Sequence, residues 1–267
     1  MPAPKITHQI WLQGWESLPE KFGKNVEALH EMNPEYQHMK WDEKSLRKEC
    51  MKIGDTCVEK FDSFELFISK VDFGRYVVLY NYGGISIDTD MVSLRPLRDT
   101  PQIDTSNFLI SYHTYPFNLF KITNNAVIIC TARHPLLKDA LDSIIGDPRR
   151  PSDFITKELY VHFTTGPLLF NRFVKKYRDS VVILPYKYFE PCDSNNPYCE
   201  IPDESIMDHK HEMSWMHPIF GVLLQFLFFI LHYIWYIGVG TLCFVYLWYG
   251  RFLKRSKQRN KKYMIPF

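Results

Sequence analysis

Charged side chains are absent from one long stretch near the carboxyl end of the sequence. No Asp, Glu, Lys or Arg occurs between Glu212 and Arg251. From residue 219 to residue 250 only three polar side chains interrupt the apolar and aromatic residues, namely Gln225, His232 and Thr241. A run of this length is typical of a helix in a membrane, and the alternative is a buried core helix. The pattern predicts a transmembrane or re-entrant segment at 216–250.

Two further features are missing from the sequence. It contains no Cys-x-x-Cys pair among its six cysteines, which argues against a structural zinc site. Residues 1–9 lack the composition of a signal peptide. The cysteine spacing does not settle the redox compartment, because two pairs lie seven residues apart and could close small loops in an oxidising lumen. These pairs are Cys50 with Cys57 and Cys192 with Cys199.

The positive charge is concentrated at the carboxyl end. Seven Lys and Arg residues lie between Arg251 and Lys262, and removing them from the net charge of +2 leaves residues 1–250 at −5. No general nucleic-acid surface is expected from that balance. The basic tail at 251–267 favours a cytosolic carboxyl end, which conflicts with the missing signal peptide. Single-pass and re-entrant topologies, and the orientation in the membrane, therefore stay open.

Residues 1–215 have the pattern of one catalytic-size domain in which strands and helices alternate. Short runs rich in β-branched and aromatic residues predict strands at 5–12, 36–41, 84–88, 108–112, 126–130 and 181–185. Helical spacing predicts helices at 19–32, 43–53 and 64–82. This alternation favours an α/β fold with a largely parallel sheet.

The segment "GGISIDTDM" places two carboxylates at the end of an apolar strand. Side chains alternate along an extended backbone, so Asp88 and Asp90 are expected to point the same way. Two like charges at close range repel unless a cation lies between them, and oxygen ligands favour Mn²⁺ or Mg²⁺. Gly83 and Gly84 allow close approach of a ligand or of a neighbouring element. The alternative is that the Asp-x-Asp triplet marks a solvated turn.

The helix before this strand carries another charged pair. Asp72 and Arg75 lie one turn apart on the same helical face, and the helix leads directly into the two glycines. Taken alone, such a pair is most often a surface ion pair of little energetic value. Its continuity with the carboxylates gives it a second interpretation as part of a binding site.

The stretch "SKVDFGRYVVLYNYGGISIDTDMVSLRPL" resembles the signature of family 32 glycosyltransferases, which carry a D-x-D sugar-binding region. Relatives in that family include mannosyltransferases and α-1,4-galactosyltransferases. Further blocks are similar in the same order over residues 4–215: "PKITHQIWLQGW", "NPEYQHMKW", "TNNAVIICTARHP", "TTGP" and "HKHEMSW". The central block is highly specific for this family. The other blocks are individually weak but together strengthen the resemblance.

The resemblance implies a Rossmann-like GT-A domain, a nucleotide-sugar donor, a divalent metal and retention of anomeric configuration. It assigns Asp88, Asp90 and Arg75 to catalysis, with Mn²⁺ or Mg²⁺ held by the two aspartates. It implies donor binding by Asp72 and Arg75, by the strand-end residues Ile10 and Trp11, and by Gly83, Gly84 and Asp88. Trp11 falls where an aromatic ring can stack on the nucleotide base, while a core position is the alternative.

The last similar block, "HKHEMSW", adds three expected site residues. The resemblance implies His211 as a third metal ligand and Ser214 and Trp215 as contacts of the donor phosphate. His209 is also a possible ligand, although the favoured interpretation for it is a surface histidine.

Together these features predict a hexosyltransferase, with mannose from GDP-mannose favoured slightly over a hexose from a UDP-sugar. The acceptor is expected to be a glycan or, because the apolar run follows Trp215, a membrane lipid. Golgi or another endomembrane is the expected location, with domains at 1–215, 216–250 and 251–267. The alternatives are a metal-dependent phosphohydrolase or nucleotide-sugar hydrolase, and a non-catalytic membrane anchor or binding protein.

Overall fold

The computed structural model describes residues 2–114, 117–192, 198–212 and 218–262. Within those ranges the strands are β1 Ile6–Ile10, β2 Gln37–Trp41, β3 Gly84–Ile87, β4 Met91–Ser93, β5 Phe108–Tyr112, β6 Thr123–Cys130, β7 Val182–Leu184 and β8 Met207–His209. The α-helices are α1 Glu20–Met32, α2 Glu43–Met51, α3 Asp55–Ser63, α4 Phe67–Tyr82, α5 Pro135–Ile145, α6 Lys157–Thr164, α7 Pro167–Lys176 and α8 Pro218–Lys262.

Six of the strands form one mixed sheet in the order β2-β1-β3-β6-β5-β7. The predicted α/β class is confirmed, but the largely parallel sheet needs a correction. Strand β6 runs antiparallel to both β3 and β5, while the other pairs are parallel. Apolar periodicity is the same in either direction along a strand, so it could not reveal this reversal. A separate antiparallel pair, β4 with β8, was not predicted.

Both faces of the large sheet are buried. Along β5, Phe108 and Ile110 pack into a cluster with helices α2–α5 and α7, while Leu109 packs on the other face with Ile85 and Ile87. Alternate side chains of a strand point to opposite faces, so β5 and β6 each contribute to two apolar layers. This explains the nearly continuous apolar runs that the sequence shows at these strands.

The glycine pair at the start of β3 is required by the backbone and by close packing. Gly83 and Gly84 have φ values of +68° and +96°. A Cβ atom on Gly83 would lie 2.5 Å from the amide nitrogen of Ala132, and one on Gly84 would lie 2.5 Å from the carbonyl oxygen of Ile6. The close neighbour of each glycine is therefore another part of the chain, the second of the two alternatives, and donor binding by Gly83 and Gly84 stays a prediction.

One edge of the sheet gathers the ends of several strands. Strands β1 and β3 are parallel, and β5 also points toward this edge because both β3 and β5 run antiparallel to β6. The residues that follow β3 and β5, and the first residues of β6, therefore meet at the same edge. Clefts at the carboxyl ends of sheet strands are frequent ligand sites in α/β proteins.

The chain separates into two compact units, Met1–Pro218 and Ile219–Phe267. The second unit consists of helix α8 in the part that the structure describes. Among the described residues, no helix is both long enough and apolar enough to cross a membrane. The membrane part of the prediction for 216–250 is accordingly not confirmed, and the three-domain division stays a prediction.

The two cysteine pairs differ. Cys192 and Cys199 form a disulfide, with their Cα atoms 5.7 Å apart. Cys50 in α2 and Cys57 in α3 are free thiols and lie buried in the apolar cluster beneath the sheet. Two cysteine pairs with the same spacing therefore differ in their chemistry. A free thiol is stable in an apolar core, so the buried pair does not need to form a disulfide.

Candidate active site

The two carboxylates of the Asp-x-Asp triplet lie just past the end of β3. The strand ends at Ile87, and the Asp88 amide donates to the carbonyl oxygen of Ala126 on β6 at 3.0 Å. The chain then turns, since the amide of Met91 donates to the carbonyl oxygen of Asp88 at 3.2 Å. Asp88 and Asp90 thus face the same cavity as predicted, although a turn brings them there and not the alternation of a continuing strand.

Helix α4 supplies the positive partner of Asp88. The Nη2 atom of Arg75 lies 2.8 Å from Oδ1 of Asp88, and its Nη1 atom donates to the carbonyl oxygen of Asn125 at 2.5 Å. Arg75 is only 2% exposed, so its guanidinium is fixed by these contacts. Burial raises the pKa of Asp88, and the neighbouring Arg75 opposes that rise.

Asp72 lies one helical turn before Arg75 and is also buried. Its Oδ1 atom accepts a hydrogen bond from Asn125 at 3.1 Å, and its Oδ2 atom accepts one from Thr165 at 3.3 Å. Burial raises the pKa of Asp72 to about 7, although Arg75 favours the charged form. The pair is therefore interior, in contrast to the surface ion pair that the sequence left as an alternative.

The second carboxylate has a histidine as its partner. Oδ2 of Asp90 lies 3.3 Å from Nε2 of His209 and accepts a hydrogen bond from the Glu212 amide at 2.9 Å. Burial alone would raise the pKa of Asp90, but His209 and the Glu212 amide lower it to about 2. For His209, burial acts in the opposite direction and lowers the pKa. The neighbouring carboxylates of Asp90 and Glu190 outweigh burial and raise the pKa of His209 to about 10. His209 is therefore part of the site and not a surface histidine.

A buried glutamate and two more histidines extend this cluster. Oε1 of Glu190 lies 3.3 Å from Nδ1 of His209 and 3.1 Å from Nε2 of His211. Oε2 of Glu190 lies 3.2 Å from Nδ1 of His113. His211 has a positive φ of 50° and a pKa that burial lowers to about 4. His211, which the sequence predicts as the third metal ligand, thus lies beside Glu190.

These side chains line a cavity of about 240 Å³. Ile10, Trp11 and Phe22 form part of its apolar wall, and the rings of Trp11 and Phe22 are 5.6 Å apart. The Trp11 indole N–H donates to Ser17 at 3.1 Å, so the ring is held but not enclosed in the core. Acidic, basic and imidazole groups also line the cavity, so its lining combines apolar and strongly polar side chains.

The donor set suits a divalent transition metal. One ligand atom from each of Asp88, Asp90 and His209 lies within 4.8 Å of the others, and the same holds for Glu190, His209 and His211. Two carboxylates and one imidazole provide oxygen and nitrogen ligands. Mn²⁺ prefers such ligands to thiolates. The residues present at the Asp-x-Asp triplet therefore fit the metal that the sequence predicts.

The structure brings together most of the residues that the sequence predicts for the site. Ile10, Trp11, Asp72, Arg75, Asp88 and Asp90 line the one cavity, and His211 joins them. Gly83 and Gly84 lie at the opposite end of β3. Ser214 and Trp215 fall outside the residues that the structure describes, so their expected roles stay predictions.

Sequence reasoning missed Glu190 and Asn125 and set His209 aside. Asn125 lies in the block "TNNAVIIC", where two consecutive polar residues at the start of an apolar strand were an available signal. Glu190 lies in "YFEPCD" and has no pattern around it that indicates a site. Its position becomes visible only when the fold brings it to residues 209 and 211.

Comparison with known proteins agrees with this geometry. Residues 19–109 match the family described as glycosyltransferase sugar-binding region containing DXD motif. An uncharacterized glycosyltransferase of Acanthamoeba polyphaga mimivirus is 28% identical over 231 residues, which cover 79% of this chain and 83% of the viral protein. Inositol phosphoceramide mannosyltransferase 1 of Schizosaccharomyces pombe is 25% identical over 189 residues, 68% of this chain and 56% of that protein.

The chain therefore spans only about half the length of that mannosyltransferase. Among solved structures, the PaToxG glycosyltransferase has a TM-score of 0.45 at 17% identity, covering 67% of this chain and 69% of its own. A likeness at that level adds nothing to the assignment. Nothing in these comparisons supports the hydrolase alternative. With its Asp-x-Asp pair, Arg75 and Asp72 lining one cavity, the chain carries over residues 19–109 the DXD sugar-binding region of glycosyltransferases.

Proposed function

We propose that this protein is a metal-dependent mannosyltransferase that uses a nucleotide-sugar donor and retains the anomeric configuration. The observation that carries the proposal is the convergence of Asp88, Asp90 and His209 in a cavity that apolar side chains also line. A nucleotide sugar needs both environments, because its base is flat and apolar on its faces while its diphosphate is strongly anionic.

Asp88, Asp90 and His209 would hold the metal. When bound, Mn²⁺ or Mg²⁺ supplies positive charge at the diphosphate leaving group. Asp88 is kept in place by Arg75, and Asp90 by His209 and the Glu212 amide. These contacts orient both carboxylates before any ligand arrives, which lowers the cost of assembling the site.

Asp72 and Arg75 would bind the donor sugar. Asp72 accepts hydrogen bonds from Asn125 and Thr165 and lines the cavity, and sugar hydroxyl groups are donors that such a carboxylate can accept. Arg75 adds a fixed positive charge beside Asp88. Trp11, which also lines the cavity, offers a ring on which a base can stack, a contact worth about 1–3 kcal/mol.

For the acceptor we propose a lipid of the inositol phosphoceramide class. The support is the inositol phosphoceramide mannosyltransferase activity for which the Schizosaccharomyces pombe relative is named, a protein whose match covers 68% of this chain. Mannose as the transferred sugar has the same support, and GDP-mannose is the donor to test first. UDP-galactose and UDP-glucose are the competing donors.

The experiment is a transfer assay with purified full chain, Mn²⁺ and a panel of donors. Each donor is offered with inositol phosphoceramide, with a soluble oligosaccharide and with water alone. We expect mannosylated lipid from GDP-mannose, with product NMR showing retention, and little free mannose without acceptor. Transfer to soluble glycans alone would contradict the lipid acceptor, and release of free sugar regardless of acceptor would contradict the transferase assignment itself.

Matched variants connect this activity to the site. Asp90→Asn keeps the size of the side chain but removes its charge, and we expect transfer to fall on the order of 100-fold or more. Asp142→Asn is the control, because Asp142 is an exposed acid paired with Lys138 on α5. Equal activity of both variants would remove Asp90 from the catalytic site.

We further propose that the domain resides in an oxidising endomembrane compartment such as the Golgi lumen. The support is the Cys192–Cys199 disulfide, since disulfides persist in such compartments and are rare in the cytosol. Non-reducing peptide mapping of protein from its native membranes or cytosol tests this. Recovery of both cysteines as free thiols, together with cytosolic fractionation, would contradict the location.

A further inference from the structure

The carboxylate of Glu190 is fully buried, yet the proposed function has given it no role. Its surroundings are unusual, because three imidazole rings approach one carboxylate: His209 and His211 at Oε1 and His113 at Oε2. The amide of Thr114 donates to Oε2 at 2.7 Å and fixes the orientation of the group. A buried charge held in this way is costly unless it is strongly paired.

Only one of the three histidines has hydrogen-bond geometry to Glu190 among the described contacts. The Nδ1 atom of His209 meets it at 3.3 Å. The Nδ1 atom of His113 and the Nε2 atom of His211 lie 3.2 and 3.1 Å from the carboxylate, but neither is aligned for a hydrogen bond. Glu190 therefore acts directionally on His209 and only by proximity on the other two rings.

The hydrogen-bond partner of His209 Nδ1 determines which ring nitrogen has a lone pair available for a metal. A carboxylate can only accept, so the contact with Glu190 requires a proton on Nδ1, and a neutral ring then has its lone pair on Nε2. That Nε2 atom lies 3.3 Å from Asp90 and within the ligand group of Asp88 and Asp90. Glu190 thus directs the metal-binding nitrogen of His209 toward the aspartates.

Asn124 competes for the same nitrogen. Its Oδ1 atom accepts a hydrogen bond from the Ala126 amide, so its Nδ2 group lies 3.2 Å from Nδ1 of His209 and would favour the opposite tautomer. A hydrogen bond to a charged acceptor is roughly twice as strong as a neutral one. The ionised Glu190 therefore prevails over Asn124.

We propose that Glu190 is a positioning residue that fixes the tautomer and ring orientation of His209, so that Nε2 faces the metal held by Asp88 and Asp90. The inference rests on the proposed function, because it requires a metal at the aspartate pair. Histidine ligands commonly donate their second nitrogen to a carboxylate, and loss of that partner weakens metal binding by about 10- to 100-fold.

The test is a titration of the full chain with Mn²⁺ alone, in which electron paramagnetic resonance measures the concentration of free Mn²⁺ at each step. We expect Glu190→Gln to raise the Mn²⁺ dissociation constant by about 10-fold or more. The matched control is Glu49→Gln, another buried carboxylate, which bonds to Lys52 and Asn81. That control is expected to bind Mn²⁺ within about twofold of the unmodified protein, because Glu49 does not line the cavity.

The outcomes separate this inference from the proposed function. If Asp90→Asn weakens Mn²⁺ binding and a folded Glu190→Gln variant does not, the positioning role is wrong and the metal site stands. If the unmodified protein binds no Mn²⁺, or binds it equally well without Asp90, both fail.

A second measurement needs no Glu190 variant and covers the case in which that variant does not fold. Two-dimensional ¹H–¹⁵N spectra of histidine-labelled protein at saturating Mg²⁺ report the tautomer, with His209→Gln identifying the signal. We expect the proton of His209 on Nδ1. A proton on Nε2, as Asn124 alone would favour, overturns the proposal.

Discussion

Arg75 and Asp88 form an ion pair with the same 2.8 Å separation as Arg47 and Asp62, but in different surroundings. The side chain of Arg75 is 3% exposed, whereas that of Arg47 is 48% exposed. The two pairs therefore differ mainly in their contact with water. Screening makes exposed ion pairs weak, whereas Asp88, with its side chain 31% exposed, is paired with a guanidinium that is itself buried.

We predict that Arg75→Ala lowers the free energy of unfolding by about 2 kcal/mol, because the buried Asn125 carbonyl loses its donor and Asp88, whose side chain is 31% exposed, loses its charged partner. Arg47→Ala should cost less, because water screens the exposed pair with Asp62. Urea unfolding of both variants at pH 7 provides the comparison. Equal losses would show that the buried guanidinium contributes no more than the surface one.

Asp72→Asn should separate stability from activity. The pKa of Asp72 is raised to about 7, so the folded protein favours its protonated form and the aspartate becomes destabilising as pH rises above 3.8. The uncharged asparagine avoids this cost, and the variant should gain stability relative to the unmodified protein between pH 4 and pH 8. The gain is at most about 4 kcal/mol, reduced by the lost acceptor for Asn125 or Thr165.

Transfer activity of the same variant is expected to fall, since an amide replaces one acceptor oxygen for the donor sugar. Chemical denaturation across pH and the mannosyl-transfer assay are run on one preparation. A variant that loses stability at pH 8, or keeps full activity, would contradict the assigned role.

His8 should make the fold sensitive to acid. Its Nε2 atom lies 2.8 Å from the Gly83 carbonyl and its Nδ1 atom accepts from the Trp41 indole at 3.1 Å, so the neutral ring is fully bonded. Burial lowers its pKa from 6.5 to about 4. As pH falls from 6.5 toward 4, the unfolded chain binds a proton that the folded one does not, and stability falls by up to about 3 kcal/mol.

A comparison with His8→Gln isolates this effect from that of other histidines. The variant should be less stable at pH 7.5, and its unfolding free energy should decline less steeply between pH 6.5 and pH 4.5. Parallel pH profiles for the two proteins would mean that His8 does not carry the predicted proton difference.

Gly83 should tolerate no side chain. At φ +68°, with Ala132 2.5 Å from an added Cβ, Gly83→Ala is expected to cost at least about 2 kcal/mol. Gly23→Ala is the control, because Gly23 lies in α1 with no atom within 4 Å of the new Cβ. That change should stabilise the helix by about 0.5–1 kcal/mol. Melting temperatures that shift in the same direction for both would contradict the packing argument.

Metal removal provides a direct check of the site. Dialysis against EDTA should reduce transfer on the order of 100-fold, and added Mn²⁺ should restore it. An Asp88→Asn, Asp90→Asn double variant should show no restoration, while retaining the far-ultraviolet circular dichroism of the unmodified protein. Full activity after exhaustive chelation would rule out a required metal.

Local features of the site were predictable and long-range ones were not. Asp72, Arg75, Asp88 and Asp90 lie within nineteen consecutive residues, so helical and strand spacing already placed them near each other. His209 depends on the pairing of β4 with β8, where it lies opposite Met91, and Glu190 contacts it from a separate segment of the chain. Neither strand has the length or alternation that identifies a strand in sequence, so the pairing could not be predicted.

The fold shows the same division. Alternation of strands and helices was sufficient for the α/β class, and the apolar runs identified five of the six strands of the large sheet to within about two residues at each end. Direction was not encoded in those runs, so the reversal of β6 was missed. The membrane interpretation of 216–250 relied on composition alone, and no helix in the part of the chain that the structure describes is long and apolar enough for a span.

The reversed strand β6 has a consequence for how such enzymes diversify. Its first residues reach the cavity, so the hairpin that precedes it, around residues 117–122, continues from the cavity wall. The residues after it, from Thr131 onward, leave at the far edge of the sheet. Natural variation in acceptor preference is therefore expected to accumulate before this strand, while the segment behind it can change only as the helices packed there permit.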